Sequence, residues 1–115
     1  MSGWTEETLW RLDLPIEEVP VATFDWLLDV PIWRWQGRRF QLSVRQVLND
    51  PERYRAHHEK AARADTSYPI HIAERGGRWV ILDGYHRLLK TLLQGAPRIR
   101  VVKVRARDLA TPERA

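Results

Sequence analysis

The stretch that decides the fold runs from residue 79 to residue 95 and reads Trp-Val-Ile-Leu-Asp-Gly-Tyr-His-Arg-Leu-Leu-Lys-Thr-Leu-Leu-Gln-Gly. Its first residues form a short apolar run that ends in a turn signal at Asp83-Gly84, which predicts a buried strand. From Tyr85 onward the leucines recur with the helical period and predict one apolar stripe. The stripe consists of Leu88, Leu89, Leu92 and Leu93. Gly95 and Pro97 are stop signals, so the helix is expected to end there.

The junction between this strand and this helix suits an anion. The first N–H groups of a helix have no partner within it, and the helix macrodipole is positive at that end. Arg87 adds a fork of N–H donors that fits phosphate oxygens. Each residue alone has a structural alternative: Gly84 as a turn glycine, His86 as a helix cap, and Arg87 paired with Asp83 or Glu74. Together they predict phosphate binding.

The other strand signals predict a small α/β (α+β) domain with a mixed sheet. Residues 17–19 and 21–24 could supply a first strand, which Pro15 and Pro20 would place at a sheet edge. Residues 70–74 and 79–83 predict an antiparallel hairpin with a tight turn between them. A last strand is predicted over 99–104. Its apolar residues switch sides midway, which indicates either a strand covered on both faces or a bulge.

Helix signals lie between and before these strands. A short helix is predicted over 1–12, a short turn or helix over 25–30, and a helix capped by Ser43. Another is predicted from Asp50, where an N-cap, a proline and an acid follow one another, to about Ala64. The adjacent histidines at 57 and 58 point about 100° apart on such a helix, so no shared metal ion is predicted.

Residues 33–40 mix aromatic residues with arginine and predict a hairpin that turns at Gln36-Gly37. One interpretation is a base-stacking, nucleic-acid surface. The other, which we favour because single aromatic–basic clusters are weak motifs, makes Trp33, Trp35 and Phe40 core anchors beside solvated arginines.

The composition predicts a single folded domain spanning 1–115. With 43% hydrophobic and 30% charged residues, a globular chain is expected rather than disorder. The absence of cysteine excludes disulfides, thiolate catalysis and cysteine-type zinc sites. No apolar run is long enough for a membrane span and the N-terminus does not resemble a secretory signal, so we expect a cytoplasmic location and no membrane partner.

Charge is distributed unevenly along the chain. Residues 1–50 hold 5 Lys/Arg and 8 Asp/Glu, whereas residues 51–115 hold 14 and 7. The basic half also contains the strand–turn–helix, which suits a polyanionic ligand such as a nucleotide or nucleic acid. The alternative is an arginine-rich surface that is only solvated.

Three features occur together: a Pro-Ile strand entry at Pro69, the hairpin, and an Asp83-Gly84-Tyr85-His86-Arg87 box followed by a helix, a glycine and a final strand. This combination resembles the ParB/sulfiredoxin superfamily, over about residues 14–109. The resemblance implies a nucleotide site for ATP, ADP or CTP, with phosphates at Gly84, Tyr85, His86 and Arg87. It also implies that the Thr66-Ser67 loop lies beside the same pocket.

The chain departs from the family in informative ways. Sulfiredoxin chemistry needs a cysteine inside the box, where this chain has Tyr85, so reduction of a sulfinic acid is excluded. The helix-turn-helix DNA reader that follows the ParB domain is not present in these 115 residues, so sequence-specific partition by this chain alone is not expected.

Two functions compete at this stage. The first is nucleotide-dependent phosphotransfer or hydrolysis with Mg²⁺, for which a carboxylate must hold the metal or take a proton from an acceptor that remains unknown. The candidates are Asp83, Asp25 and Asp29, with Glu18 as a further one. The second is a non-catalytic module that binds nucleic acid or protein through the basic C-terminal half, at Arg98, Arg100, Lys103, Arg105 and Arg107.

Overall fold

The structure, a computed structural model, describes Leu9, residues 11–105 and Asp108. The strands in these residues are β1 (Glu17–Pro20), β2 (Trp33–Trp35), β3 (Arg38–Leu42), β4 (Ile70–Arg75), β5 (Arg78–Asp83) and β6 (Arg98–Lys103). The helices are α1 (Val44–Asn49), α2 (Arg55–Arg63), α3 (Tyr85–Leu93) and a 3₁₀ helix, Val21–Leu27. The predicted α+β class is confirmed.

Four strands form one mixed sheet in the order β1-β6-β4-β5. β1 is antiparallel to β6, β4 is parallel to β6, and β5 is antiparallel to β4. The parallel pair needs a crossover, which β5 and α3 provide. β1 lies at the predicted edge, where a proline at Pro20 costs no hydrogen bond inside the sheet. β2 and β3 form a separate hairpin.

The main core lies between one face of the sheet and the helices. Leu88 and Leu89 of α3 are fully buried there, together with Ile70 and Ile72 of β4. Val101 of β6 joins the same core. Its neighbour Val102 lies in a second, smaller cluster with Leu9 and Val104. The end of β6 is therefore covered on both faces, which decides between the two alternatives that its sequence allows.

Two local predictions are confirmed by backbone geometry. The β2–β3 hairpin turns at Gln36 and Gly37, with φ of 51° and 80°; two positive φ values are what a two-residue type I′ turn requires. Ser43 caps α1: its hydroxyl accepts from the Gln46 N–H, and the Gln46 side chain accepts from the Ser43 N–H. This reciprocal pair is a capping box.

Two element boundaries differ from the prediction. Residues 21–24 do not extend the first strand, because β1 ends at Pro20 and a 3₁₀ helix buries Phe24 and Leu27, three residues apart, on one face. The helix predicted from Asp50 begins at Arg55. Residues 51–54 form a turn instead, in which Asp50 accepts the N–H groups of Arg53 and Tyr54.

Two predicted core residues are exposed. Leu93 is 47% exposed. Thr91 of the same helix is buried, and its hydroxyl donates to the Arg87 carbonyl. Phe40 is 67% exposed, so its role as a core anchor is wrong. The φ of 56° at Phe40 interrupts the alternation of the strand.

The helix predicted over 1–12 lies outside the described residues except at 9, 11 and 12. After Val104, the described residues are Arg105 and Asp108. In the part of the chain that is described, no helix is both long and apolar enough to cross a membrane.

Candidate functional site

A cleft of about 730 Å³ opens where β5 passes into α3. It is lined by residues from β5, the first turn of α3, β2 and α2. The charged residues that line it are Arg34, Lys60, Arg63, Asp83 and Arg87. The aromatic and imidazole rings that line it are Trp33, Tyr85, His57 and His86. The structure thus brings the whole predicted box, Asp83 to Arg87, to one cleft.

Gly84 forms the turn between β5 and α3 and lines this cleft. Its φ is +116°, a value that residues with a Cβ rarely adopt. A Cβ added there would lie 2.5 Å from Cγ2 and 2.9 Å from Cβ of Ile70. Glycine is therefore needed for the turn to pack against β4, whether or not a ligand is bound.

The Arg87 side chain is fixed by hydrogen bonds to other residues of the chain. Its Nη2 donates to Asp83 Oδ2 at 3.0 Å and its Nη1 donates to the Pro69 carbonyl at 2.6 Å. The Arg87 and Asp83 side chains are only 17% and 13% exposed. The ion pair that the sequence offered as the structural alternative is thus formed, and it ties the start of α3 to the entry of β4. Arg87 also lines the cleft.

Two imidazoles lie side by side under the indole of Trp33. The Trp33 ring stacks on His57 at 4.3 Å and on His86 at 4.9 Å between centroids. The two imidazole planes differ by only 14°, and His57 Nδ1 lies 2.9 Å from His86 Nε2. One of these nitrogens must donate and the other accept, so the two rings form a hydrogen-bonded pair.

This pair is uncharged near neutral pH. Burial is the main cause that lowers the pKa of His86 to about 4, and the adjacent His57 and Lys60 lower it further. Burial also lowers the pKa of His57, with Lys60 and His58 as smaller causes. Both effects disfavour the charged form. Tyr85, edge-on to Trp33, has a pKa raised by burial, so its phenol also stays neutral.

The cations of the cleft differ from Arg87 in having no carboxylate partner among the described residues. They are Arg34 on β2 and Lys60 and Arg63 on α2. None of the three was predicted from the sequence as a site residue. A usable signal was present: residues 57, 60 and 63 recur every three positions, which places them along one side of a helix.

The structure does not bring the other predicted residues to the cleft. Neither Asp25 nor Asp29 lines it, and Asp29 instead accepts from Arg45 at 2.7 Å. Thr66 and Ser67 do not line it either. The Ser67 N–H and hydroxyl both donate to Asp65, which shapes a turn beside a neighbouring groove of about 580 Å³.

The residues present do not fit a resident Mg²⁺. No group of three or more His, Cys, Asp or Glu suited to a metal occurs in the described part of the chain. Asp83 is the one carboxylate among the described residues that line the cleft, and Arg87 occupies one of its oxygens. Mg²⁺ would have to arrive with a ligand that supplies most of its coordination.

No protein-family model, curated protein or solved structure matches this chain. The resemblance to the ParB/sulfiredoxin superfamily therefore stays a prediction from the sequence motif.

Proposed function

We propose that the cleft binds the phosphates of a nucleotide. The resemblance of residues 83–87 to the ParB/sulfiredoxin motif limits the candidate nucleotides to ATP, ADP and CTP. The observation that supports this most directly is a set of three cations, Arg34, Lys60 and Arg63. They line the same cleft as the turn at Gly84 and have no acidic partners among the described residues. Cations gathered without counter-charges create a positive potential that attracts a polyanion.

The start of α3 lines the same cleft as these cations. Its first N–H groups, from Tyr85 onward, have no acceptor within the helix. They and the positive end of the helix dipole suit phosphate oxygens. In the proposed complex the phosphates lie between this helix start and α2. Lys60 and Arg63 then neutralise the phosphate charge that the helix start does not compensate.

Phosphotransfer or hydrolysis is a separable part of the proposal. Such a reaction needs positioning and positive charge on the transferred group, which the cations supply. It also needs a group that accepts a proton from the acceptor hydroxyl or water. Asp83, already bonded to Arg87, and the neutral His57–His86 pair are the candidates in the described lining; the acceptor substrate is unassigned. A cytoplasmic location, where nucleotides are abundant, belongs to the same proposal.

The test is thermal unfolding with ATP, ADP and CTP, each with and without Mg²⁺, and with pyrophosphate as a ligand that lacks a base. A ligand at a hundredfold excess over its Kd adds about 2.7 kcal/mol, which raises the Tm of a domain of this size by roughly 10 °C or more. The same shift with pyrophosphate would locate the binding energy in the phosphates. If no nucleotide changes the Tm at millimolar concentration, the proposal is wrong.

A further inference from the structure

We propose that the β2–β3 hairpin binds single-stranded nucleic acid, with the ring of Phe40 stacked on an unpaired base and the arginines of the hairpin on the neighbouring phosphates. This inference goes beyond the proposed nucleotide site, because the surface is a different one and its ligand is a polymer. Arg34 belongs to both, since it lies on β2 and lines the cleft. Either function can exist without the other.

The three aromatic rings of the hairpin differ in their surroundings. Trp33 and Trp35 pack against the main core. Trp33 stacks on His57, and Trp35 meets Tyr54 edge-on with ring centroids 5.0 Å apart. Phe40, by contrast, is 67% exposed, and no other ring or cation packs on it in the described part of the chain. Two rings thus anchor the hairpin to the body of the protein, and the third is available to a ligand.

The backbone at Phe40 is unusual. Its φ of 56° lies in a region that bulky side chains rarely adopt. The pairing of β2 with β3 shifts between Trp33 and Trp35, so that three residues of β3, 39–41, lie opposite Arg34 alone. Irregularities of this kind re-aim side chains at the edges of sheets and beside functional sites. An exposed aromatic ring in a rare backbone conformation therefore supports a functional role.

The charge of the hairpin suits the backbone of a nucleic acid. Residues 30–49 contain four arginines and no Asp or Glu. Arg45 is paired with Asp29. The other three are exposed and have no carboxylate partner among the described residues: Arg34, Arg38 and Arg39. Arginines near an aromatic ring can hold the phosphates on either side of a stacked base.

The exposed ring favours a single strand over a duplex. In a duplex each base is stacked between its neighbours, whereas an unpaired base can leave the stack and lie against an aromatic side chain. A phenyl ring has no donor or acceptor with which to read a base edge, and every base has a face that can stack. We therefore expect little sequence preference. Because a two-stranded ribbon can also enter the major groove of a duplex, duplex DNA is the comparison ligand.

The experiment is fluorescence anisotropy of the full chain with a labelled oligodeoxythymidylate of about 20 nucleotides and with a duplex of the same length. The single strand should bind about tenfold more tightly than the duplex. Phe40→Ala and Phe40→Leu should each weaken its binding about fivefold or more, because neither side chain has a ring to stack on. Phe40→Tyr keeps the ring and should bind like wild type.

Tyr68→Ala is the matched control for the ring. Tyr68 is 65% exposed, about as much as the hairpin ring, but it lies in the loop before β4. Its loss should leave the affinity for oligodeoxythymidylate unchanged. An equal loss in this variant would mean that any exposed aromatic residue contributes and that the hairpin is not the site.

The salt dependence of binding tests the arginines. Arg38→Ala with Arg39→Ala should reduce the slope of log affinity against log salt by about 1.4, since each phosphate contact on a single strand contributes about 0.7. Arg98→Ala with Lys103→Ala removes the same charge from β6 and should leave the slope unchanged. An unchanged slope in the hairpin variant would show that its arginines do not contact phosphates and would overturn the proposal.

The hairpin inference and the nucleotide proposal fail separately. Phe40 is exposed and does not line the cleft, so its variants should keep the Tm and the nucleotide affinity of wild type. If Phe40→Ala and Phe40→Leu bind oligodeoxythymidylate as tightly as wild type, if the duplex binds equally well, or if wild type does not bind the single strand, the hairpin inference is wrong and the nucleotide site is unaffected. If the single strand binds as expected but no nucleotide changes the Tm, the proposed function is wrong and the hairpin inference stands.

Discussion

The molecule has two basic regions, and they differ in what their cations contact. Along the β1–β6 edge, Arg98 lies 3.6 Å from Glu18 and Lys103 lies 3.2 Å from Glu17, so the two strands offset each other's charge. In the cleft, Arg34, Lys60 and Arg63 have no such partners among the described residues. A count of charges along the sequence treats both regions alike.

We therefore expect the pairing of basic residues, rather than their number, to distinguish a binding site from a solvated surface. Three of the five cations proposed for nucleic-acid binding, Arg98, Arg100 and Lys103, already bond to Glu18, Ser67 and Glu17 respectively. The cleft, by contrast, combines a helix start and a neutral ring pair with cations that have no carboxylate partner in the part of the chain that the structure describes. The predictions below test this contrast, beginning with the largest expected effect.

Gly84→Ala should destabilise the protein by about 2–5 kcal/mol, because the new methyl would meet Ile70 at 2.5 Å and the φ of +116° is strained for alanine. Urea unfolding of the purified variants measures this. Gly95→Ala, at the other end of the same helix, is the matched control: its φ is also positive at +67°, but nothing lies within 4 Å of a Cβ there. It should cost only about 1 kcal/mol. Equal losses at both positions would show that the close approach to β4 is unimportant.

Arg87→Ala should lower stability by about 2–4 kcal/mol, since it removes a mostly buried ion pair with Asp83 and the bond to the Pro69 carbonyl. Arg87→Lys should lose about half of that, because one ammonium replaces a fork that bridges two acceptors. Unfolding curves and nucleotide affinity on the folded fraction must be measured together. A fall in affinity with unchanged stability would mean that Arg87 serves the ligand and not the fold.

Lys60→Ala with Arg63→Ala should weaken nucleotide binding about tenfold to a hundredfold, as charge-assisted contacts to phosphate are lost. The matched control at the edge is Arg98→Ala with Lys103→Ala, which removes the same charge and should leave nucleotide affinity unchanged. Calorimetric titration of both double variants compares the regions directly. If the edge variant loses as much affinity as the cleft variant, long-range charge alone explains binding and the cleft is not the site.

Acid should destabilise the chain through the ring pair. His86 has a pKa of about 4 in the folded chain and an ordinary value of 6.5 when unfolded, so between these values the unfolded state binds more protons. Stability is therefore fully present above about pH 6.5 and is lost as the pH falls toward 4. We expect an effect on the order of 1–2 kcal/mol, because the ring is partly exposed. Urea unfolding at pH 7.5 and 4.5 should show a smaller acid loss in His86→Gln than in wild type; an equal loss would contradict the neutral pair.

Most of the fold was predictable from signals that involve residues close together in the sequence. The Gln36-Gly37 turn, the Ser43 cap and the strand–turn–helix at Gly84 each depend on neighbours a few residues apart, and each was predictable. The exposed Leu93 and Phe40 were not, because helical period and aromatic character do not report which neighbours cover a residue. Thr91 can be buried because its hydroxyl donates a hydrogen bond to the Arg87 carbonyl in the preceding turn of the helix.

The residues of the cleft also divide into those that the sequence predicts together and those that only tertiary packing brings together. Asp83 to Arg87 are contiguous, so their meeting at one turn follows from the chain itself. His57 and His86 are 29 residues apart, and their hydrogen bond depends on how α2 packs on α3 beneath Trp33. Asp25 and Asp29 were proposed because the N-terminal part is acidic, yet nearness to the cleft is a tertiary property that composition does not contain.

The smallest effect concerns the edge itself. Its ion pairs are about half exposed, 52% and 55% for Arg98 and Glu18, so Glu17→Gln with Glu18→Gln should change stability by less than about 1 kcal/mol.

The same change releases two cations, so non-specific DNA affinity should rise a few-fold and the slope of log affinity against log salt should steepen by about one to two. Fluorescence anisotropy with a short duplex at several salt concentrations measures both. The wild-type edge should bind DNA weakly because its charges are offset. If the wild-type chain binds DNA tightly, and Lys60→Ala with Arg63→Ala binds it equally well, the edge is the DNA-binding surface. The absence of carboxylate partners in the cleft would then not mark a binding site.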